Sequence, residues 1–450
     1  MEMSCKSRIC QRIRENIPWI VLFLLFAVIG ASVKVFRDDI YYSKQLLTLE
    51  AIKDRLSWSA RVLNEIPLVL YTRHFWIFRI LYPVMWTVTA VYTAKIFTHK
   101  ADIMGKWAVA LLILSYQIEI NAEAGWAANA SNYTFAYPLL LFGLYGFVKM
   151  IRKLPFRWYE YPLHALAFLF GTNEEQLAAI GFLTAVLLFV VITVRERRIR
   201  LYPLVLTLIA AIELVWLATA PSVTLRGLHE VHWFIDWEVM SLSRKCILGY
   251  QHALSTLFYM RNELFTAVSG LLFIRVWLLR KDVLSRLIAG VPLFITLACG
   301  LRLFNASTPF FEWIANMAPF TGSYNVGVIN VMNYHKTITY IAFILPAIGA
   351  ICTFVSLFNA FEDIRESLVA VWALAMAFIS SFILGLSPTV WASGQRTNFF
   401  MMMLIAAIGA MVFRKIAESN KKSAVGILAI IVPLAAITFS AALYTAITRM

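Results

Sequence analysis

Charge is scarce in this chain, and acid is scarcer than base: 25 Asp and Glu stand against 40 Lys and Arg in 450 residues. Charged residues make up only 14% of the sequence, too few to cover the surface of an ordinary globular domain. No long polar segment is available to fold as a separate soluble domain. There is no Gly-rich phosphate loop and no low-complexity tract, which excludes the common nucleotide-cradling motifs. The five cysteines, Cys5, Cys10, Cys246, Cys299 and Cys352, show neither pairing nor metal-ligand spacing, so no disulfide framework is expected. No small-residue cleavage site precedes Asp38, and the apolar stretch Ile17–Ala31 therefore reads as a retained helix rather than a signal peptide. No internal repeat is visible, which argues against a transporter built from inverted halves.

Apolar residues are abundant: 61% of the chain is hydrophobic, in runs rather than in amphipathic stripes. Helices that are apolar all round belong in a bilayer. The expected fold is an all-α polytopic membrane protein, one integral-membrane domain over residues 1–450 with about 11–13 transmembrane helices. The formal net charge of +15 does not point to nucleic acid, because Lys and Arg cluster in short loops as the positive-inside rule requires. Some of these cations also suit anionic lipid headgroups.

Lys6, Arg8, Arg12 and Arg14 place residues 1–16 in the cytoplasm; a multi-pass protein of the plasma (inner) membrane is expected. The first helix then delivers Asp38 and Asp39 to the outer side. Residues 36–74 form a first outer loop, whose stretch from Tyr41 to His74 reads as one or two amphipathic helices along the membrane. Spans are expected at Trp76–Ile96, Trp107–Ile120 and Phe135–Val148. The run Tyr161–Phe170 is too short to cross comfortably and is followed by the polar hexapeptide Gly171–Gln176. Further outer loops are expected at 221–262 and 302–336, and the walk ends near thirteen spans with the C-terminus outside.

Several residues stand where chemistry is plausible. Asp38 and Asp39 are adjacent carboxylates at a helix exit. Their repulsion raises the pKa of one and suits a general base; as oxygen ligands they suit a divalent cation; as plain helix-end acids they are simply solvated. Arg61, after Trp58-Ser59-Ala60 and before Asn64-Glu65, has the forked geometry for a phosphate. Arg79 lies in an apolar stretch and is expected to face a cavity or an acidic partner. Arg396, within Ser393–Asn398, opens a helix and suits a phosphate oxygen. Asn132, in Ser131–Thr134, and Asn173 with Glu174 suit sugar hydroxyls, or turn and cap chemistry. Tyr41, Tyr42 and Trp58 suit sugar faces or the lipid boundary. His229-Glu230-Val231-His232 lacks the four-residue spacing of a zinc helix. Glycosylation sequons occur at Asn129, Asn132 and Asn305.

Taken in order, Asp38-Asp39-Ile40-Tyr41-Tyr42, Trp58-Ser59-Ala60-Arg61, Asn132-Tyr133, Thr172-Asn173-Glu174 and Ser387-Pro388 with Gly394-Gln395-Arg396-Thr397 resemble the GT-C type membrane glycosyltransferases of bacteria, with phage-type O-antigen glucosyltransferases nearest in pattern. The resemblance runs over most of the chain. It implies a GT-C-like helical fold, a polyprenyl-phosphate sugar donor, a cell-surface glycan or lipid-linked glycan acceptor, an extracytoplasmic site and an Asp base in the first outer loop. It implies Arg residues, here Arg61, Arg79 and Arg396, receiving the lipid phosphate, and no cofactor beyond a divalent cation at Asp38 and Asp39 if one is used. The chain departs from the pattern at Ser59-Ala60, where Asn-Gly is expected before the Arg. One-step displacement predicts inversion at the anomeric carbon. Two other functions fit a membrane protein of this kind: a flippase or other transporter of lipid-linked oligosaccharides, which would place charge midway along its helices as Arg79 and Glu213 are placed, and a polysaccharide polymerase.

Overall fold

The computed structural model describes residues 5–44, 48–99, 102–234, 236–303, 329 and 334–449. Among them every regular element is helical. The reason is the bilayer itself: a backbone with no water must satisfy its own hydrogen bonds, and a helix does so within one segment. Among the described residues ten helices are long and apolar enough to cross a membrane, or eleven if one bent pair counts as a single span. The protein is a multi-pass membrane protein.

The chain packs as two compact units, the first comprising Met1–Arg55, Arg61–Leu217 and Ile416–Met450, the second Leu56–Ala60 and Ala218–Lys415. The elements in chain order begin with α1 (Cys5–Ser32), α2 (Asp38–Ser43), α3 (Leu49–Trp58), α4 (Val62–Arg73) and α5 (Phe75–Thr93), the last continued by a π-turn over Ala94–Thr98. They continue with α6 (Ile103–Leu114), α7 (Trp126–Asn132), α8 (Ala136–Ile151), α9 (Glu160–Gly171), α10 (Glu175–Glu196) and α11 (Leu201–Thr219). The second unit holds α12 (Pro221–Glu230), α13 (Leu242–Phe258), α14 (Glu263–Leu279), α15 (Val283–Ile295), α16 (Thr337–Ala360), α17 (Ile364–Phe382) and most of α18 (Phe399–Ser419); α19 (Lys421–Thr448) returns to the first unit.

Helix starts are set by short polar side chains. Asp102 accepts from Gly105 N at 2.8 Å to open α6, Asn262 from Phe265 N at 2.9 Å to open α14, and Asp282 from Ser285 N at 2.9 Å to open α15. Each satisfies an amide that has no partner within the helix. In the first unit α1 packs on α5, where Phe26 stacks on Trp86 at 4.4 Å between ring centroids. α19 lies against α6, and Thr438 donates to the carbonyl of Leu114.

Three expectations are corrected by length. The span expected at Trp107–Ile120 is the helix α6, which has 12 residues and gives way to a 3₁₀ turn at Ile118–Ala122. At about 1.5 Å per residue it reaches roughly 18 Å, short of a hydrocarbon core of about 30 Å. The span expected at Phe135–Val148 is longer, with α7 and α8 joining over Trp126–Ile151. The segments α13 and α14 form the bent pair, turned by 74°. Among the described residues, with α6 and the 12-residue α9 too short to count and the α13–α14 pair counted or not as one span, the thirteen expected spans come to eleven or ten. The short α9, with 12 residues, is as the sequence reads it. The expected outer loop at 302–336 lies mostly outside the described residues, as does Asn305.

Candidate functional site

The polar side chains of the first unit converge where α1 ends. The chain leaves α1, turns at Arg37, whose φ is 48°, and enters α2 with Asp38 and Asp39 in its first turn. The two carboxylates separate completely. Asp38 is exposed, while Asp39 is 0% exposed. Asp39 Oδ2 accepts from the backbone amide of Trp126 at 2.9 Å and Oδ1 from that of Ala128 at 2.8 Å. Asp39 therefore caps the start of α7 from another segment of the chain. Burial pushes its carboxyl up to about 6, against the amides that stabilise its charge.

This docking requires Gly125. Its φ is +113°, and a Cβ there would lie 2.7 Å from Asp39 Oδ1 and 2.7 Å from the carbonyl of Phe36. A side chain would meet both strain and collision. The amide of Asp38 donates to the carbonyl of Ala124 at 3.1 Å, so the exposed carboxylate is set on a backbone fixed from both sides.

α4 and α7 complete the support. Tyr42, Leu68, Val69 and Ala128 form one buried apolar cluster that ties α2, α4 and α7 together. Above it Arg55 forks onto Glu65, with Nε to Oε2 at 2.7 Å and Nη2 to Oε1 at 3.2 Å, and also donates to the hydroxyl of Tyr42. Burial raises the Tyr42 hydroxyl, with Glu65 adding to the effect. Tyr42 is thus a packed and bonded side chain, whereas Tyr41 is 52% exposed and meets Tyr42 edge-on at 5.4 Å.

The polar hexapeptide between α9 and α10 closes on the start of α4. Asn173 Oδ1 accepts from the amide of Leu63 at 3.0 Å, and its carbonyl accepts from Asn64 Nδ2 at 2.9 Å. Asn173 Nδ2 donates to Glu213 Oε2 of α11 at 2.9 Å. Ser131 on α7 donates to the carbonyl of Asn64 at 3.1 Å. Arg61 reaches Glu175 Oε2 with Nη2 at 2.5 Å and Nε at 2.8 Å, and Glu174 Oε1 with Nη2 at 3.6 Å. Burial works against the Arg61 charge, but the two carboxylates outweigh it and raise its pKa. Burial raises Glu174, with Arg61 opposing, while Glu174 Oε2 accepts from Leu177 N at 3.0 Å and opens α10. Asn173 and Glu174 are both buried.

The structure therefore joins Asp39, Tyr42, Asn173, Glu174 and Arg61, through α2, α4, α7 and the α9–α10 break, into one bonded assembly within the first unit. Asn132 is partly buried and donates to the carbonyl of Ala128 at 3.1 Å, one helical turn back. Arg79 differs from expectation: its Nη2 donates to the carbonyl of Val33 at 3.0 Å, and it lies over the ring of Phe75 at 5.6 Å. It serves the open C-terminal end of α1, where carbonyls lack helical partners, instead of an acid. Trp58 belongs to the second unit, edge-on to His229 at 5.3 Å. Arg396 also lies there, partly buried in the 3₁₀ turn Gln395–Asn398 that opens α18.

Sequence reading passed over Arg55 entirely. Its spacing to Glu65, ten residues across a helix break, carries no periodic signal. Glu213 was legible as a carboxylate inside an apolar run, but not its partner.

No family model matches the chain, no characterised protein matches it, and no solved structure matches it.

Proposed function

We propose that the protein is a membrane glycosyltransferase that moves a sugar from a polyprenyl-phosphate donor to a glycan or lipid-linked glycan acceptor on the extracytoplasmic side, with inversion. The observation that carries the reading is the division of labour between Asp38 and Asp39. One carboxylate is locked by two backbone amides; the other stands exposed on the same rigid turn.

In the proposed reaction the acceptor hydroxyl oxygen attacks the anomeric carbon and its proton passes to Asp38. The bond from that carbon to the phosphate oxygen breaks, and the electron pair leaves with the polyprenyl phosphate. A carboxylate fixed by its neighbours loses little in orientation when it takes the proton. The departing phosphate gains charge, which fixed cations stabilise. Arg79 beside the end of α1 is a candidate for that task. Arg61 enters the reading as a residue that ties Glu174 and Glu175 to the start of α4. Arg396 is proposed as a phosphate partner on its own chemistry. Tyr41, exposed beside the pair, suits a sugar face. No step of this reading calls on a divalent cation.

The test is sugar transfer from radiolabelled polyprenyl-phosphate donor in membranes. Asp38→Asn should abolish transfer while the protein still inserts and folds. Full activity in that variant would sink the reading.

A further inference from the structure

The second unit contains a closed ring of neutral hydrogen bonds, and nothing in the proposed reaction uses it. Its members come from two helices and one turn: His252 and Thr256 of α13, Ser381 of α17, and Asn398 of the 3₁₀ turn before α18. All four are buried, with His252 at 1% exposure and Ser381 at 0%. Ser381 Oγ donates to Asn398 Oδ1 at 2.7 Å. Asn398 Nδ2 donates to Thr256 Oγ1 at 3.1 Å, and Thr256 Oγ1 donates to the carbonyl of His252 at 2.9 Å. His252 Nδ1 lies 2.9 Å from Ser381 Oγ.

The orientation of the Asn398 amide, Oδ1 toward Ser381 and Nδ2 toward Thr256, sets the direction of the bonds. An amide oxygen has no proton to give, so Ser381 must donate to Asn398. Ser381 has then spent its proton, and His252 must supply Nδ1–H. The ring thus runs one way and returns to the backbone of the residue where it began. Polar groups buried in an apolar surround are costly unless satisfied, and a satisfied network defines a single geometry. The helices come close enough for this because Gly249 has no side chain: a Cβ there would collide with the carbonyl of Phe382.

The ring has one member outside the helices. Asn398 ends the turn Gln395–Asn398, which begins after Gly394 at φ 71° and is braced by Thr397 Oγ1 donating to the carbonyl of Gly394 at 2.9 Å. Two residues before Asn398 is Arg396. We infer that the ring of His252, Ser381, Asn398 and Thr256 is a positioning device that sets the turn carrying Arg396, and thereby the direction of its guanidinium. Its value for catalysis rests on the proposal that Arg396 receives the donor phosphate; its value for the geometry of the turn does not.

Two measurements on the full-length protein in membranes separate these claims. In the first, Arg396→Cys is made in a chain whose five native cysteines are replaced, and its rate of labelling by a charged thiosulfonate is followed. Ser381→Ala should change that rate by about fivefold to tenfold, the scale of one lost buried hydrogen bond. Ser381→Thr should restore it, and a cysteine at exposed Leu228 on α12 should label unchanged throughout. An unchanged rate at position 396 overturns the inference. If Ser381→Ala does not accumulate, Thr256→Val breaks the same ring at another bond with little change in volume and gives the same readout. In the second measurement, transfer is assayed with Arg396 intact. Ser381→Ala should raise KM for the donor about fivefold to tenfold and leave kcat nearly as it was. A fall in kcat with KM constant speaks against positioning of a donor ligand. Should Arg396→Ala leave transfer intact while labelling still responds to Ser381→Ala, the role of Arg396 fails and the positioning of its turn stands.

Discussion

Two polar clusters, one in each unit, satisfy their buried groups by different means. In the first, charge is retained: Asp39 sits on backbone amides, Arg55 on Glu65, and Arg61 on Glu174 and Glu175. In the second, the ring of His252, Ser381, Asn398 and Thr256 is neutral, although the same unit also keeps buried Arg275 on Glu362 and buried Glu263 beside Arg261. Neutral networks fix geometry at modest cost. Buried ions cost several kcal/mol each unless paired, so a chain in a bilayer retains them where they serve chemistry or a conformational choice.

The sharpest way to break this comparison is at Asp38. Asp38→Asn removes a proton acceptor and is expected to lower transfer by about 10²- to 10⁴-fold, the usual contribution of a general base, with thermal stability unchanged. Activity in membranes and a thermal melt of the purified protein check both halves.

Gly125→Ala comes next. It strains a φ of +113° and drives a methyl against Asp39 and Phe36, so folded protein should fall sharply. Fluorescence-detected size exclusion measures it; a normal monodisperse yield would show that Asp39 does not depend on that approach.

Asp39→Asn should be milder, about 1–3 kcal/mol, because an amide accepts from one backbone N–H but opposes the other with its own NH2. Its pH dependence gives a signature. Asp39 has a folded pKa near 6, above its ordinary 3.8. The folded state therefore binds more protons between those values, and the contribution of Asp39 is full below about 4 and lost as pH rises through about 6. The stability gap between the parent and Asp39→Asn should widen from pH 7 to pH 5. A gap that narrows over that window would mean the native carboxyl lies below its ordinary value.

The smallest effect is expected from Glu213→Gln, since the new amide oxygen can still accept from Asn173 Nδ2. Transfer should stay near that of the parent, whereas Glu213→Leu, which leaves Asn173 without an acceptor, should cost about 1–3 kcal/mol of stability. Equal behaviour of the two would show that the Asn173–Glu213 bond carries no weight.

Much of this molecule is legible in its sequence. Apolar runs identify the helices because a span needs length and little else, whereas the caps at Asp102, Asn262 and Asp282 emerge only from the structure. Asp38 and Asp39 stand out because acid at the end of an apolar run is expensive. Where sequence reading failed, the deciding quantity was distance. The span expected at Trp107–Ile120 is apolar enough but ends at Leu114, and no composition rule sees that α19 covers it. Arg79 looks like a charge in search of an acid, yet it donates to the carbonyl of Val33, just past the end of α1 and 46 residues away in sequence.

The sequence by itself determined that this is a helical membrane protein, because hydrophobic transfer and backbone satisfaction depend only on composition along a segment. It also determined that two carboxylates would emerge together from the first helix. Only the tertiary structure decided which of them is buried. That choice belongs to Gly125 and the amides of Trp126 and Ala128, which lie almost ninety residues downstream and come within hydrogen-bonding reach of Asp39 only when α7 packs against α2 and α4.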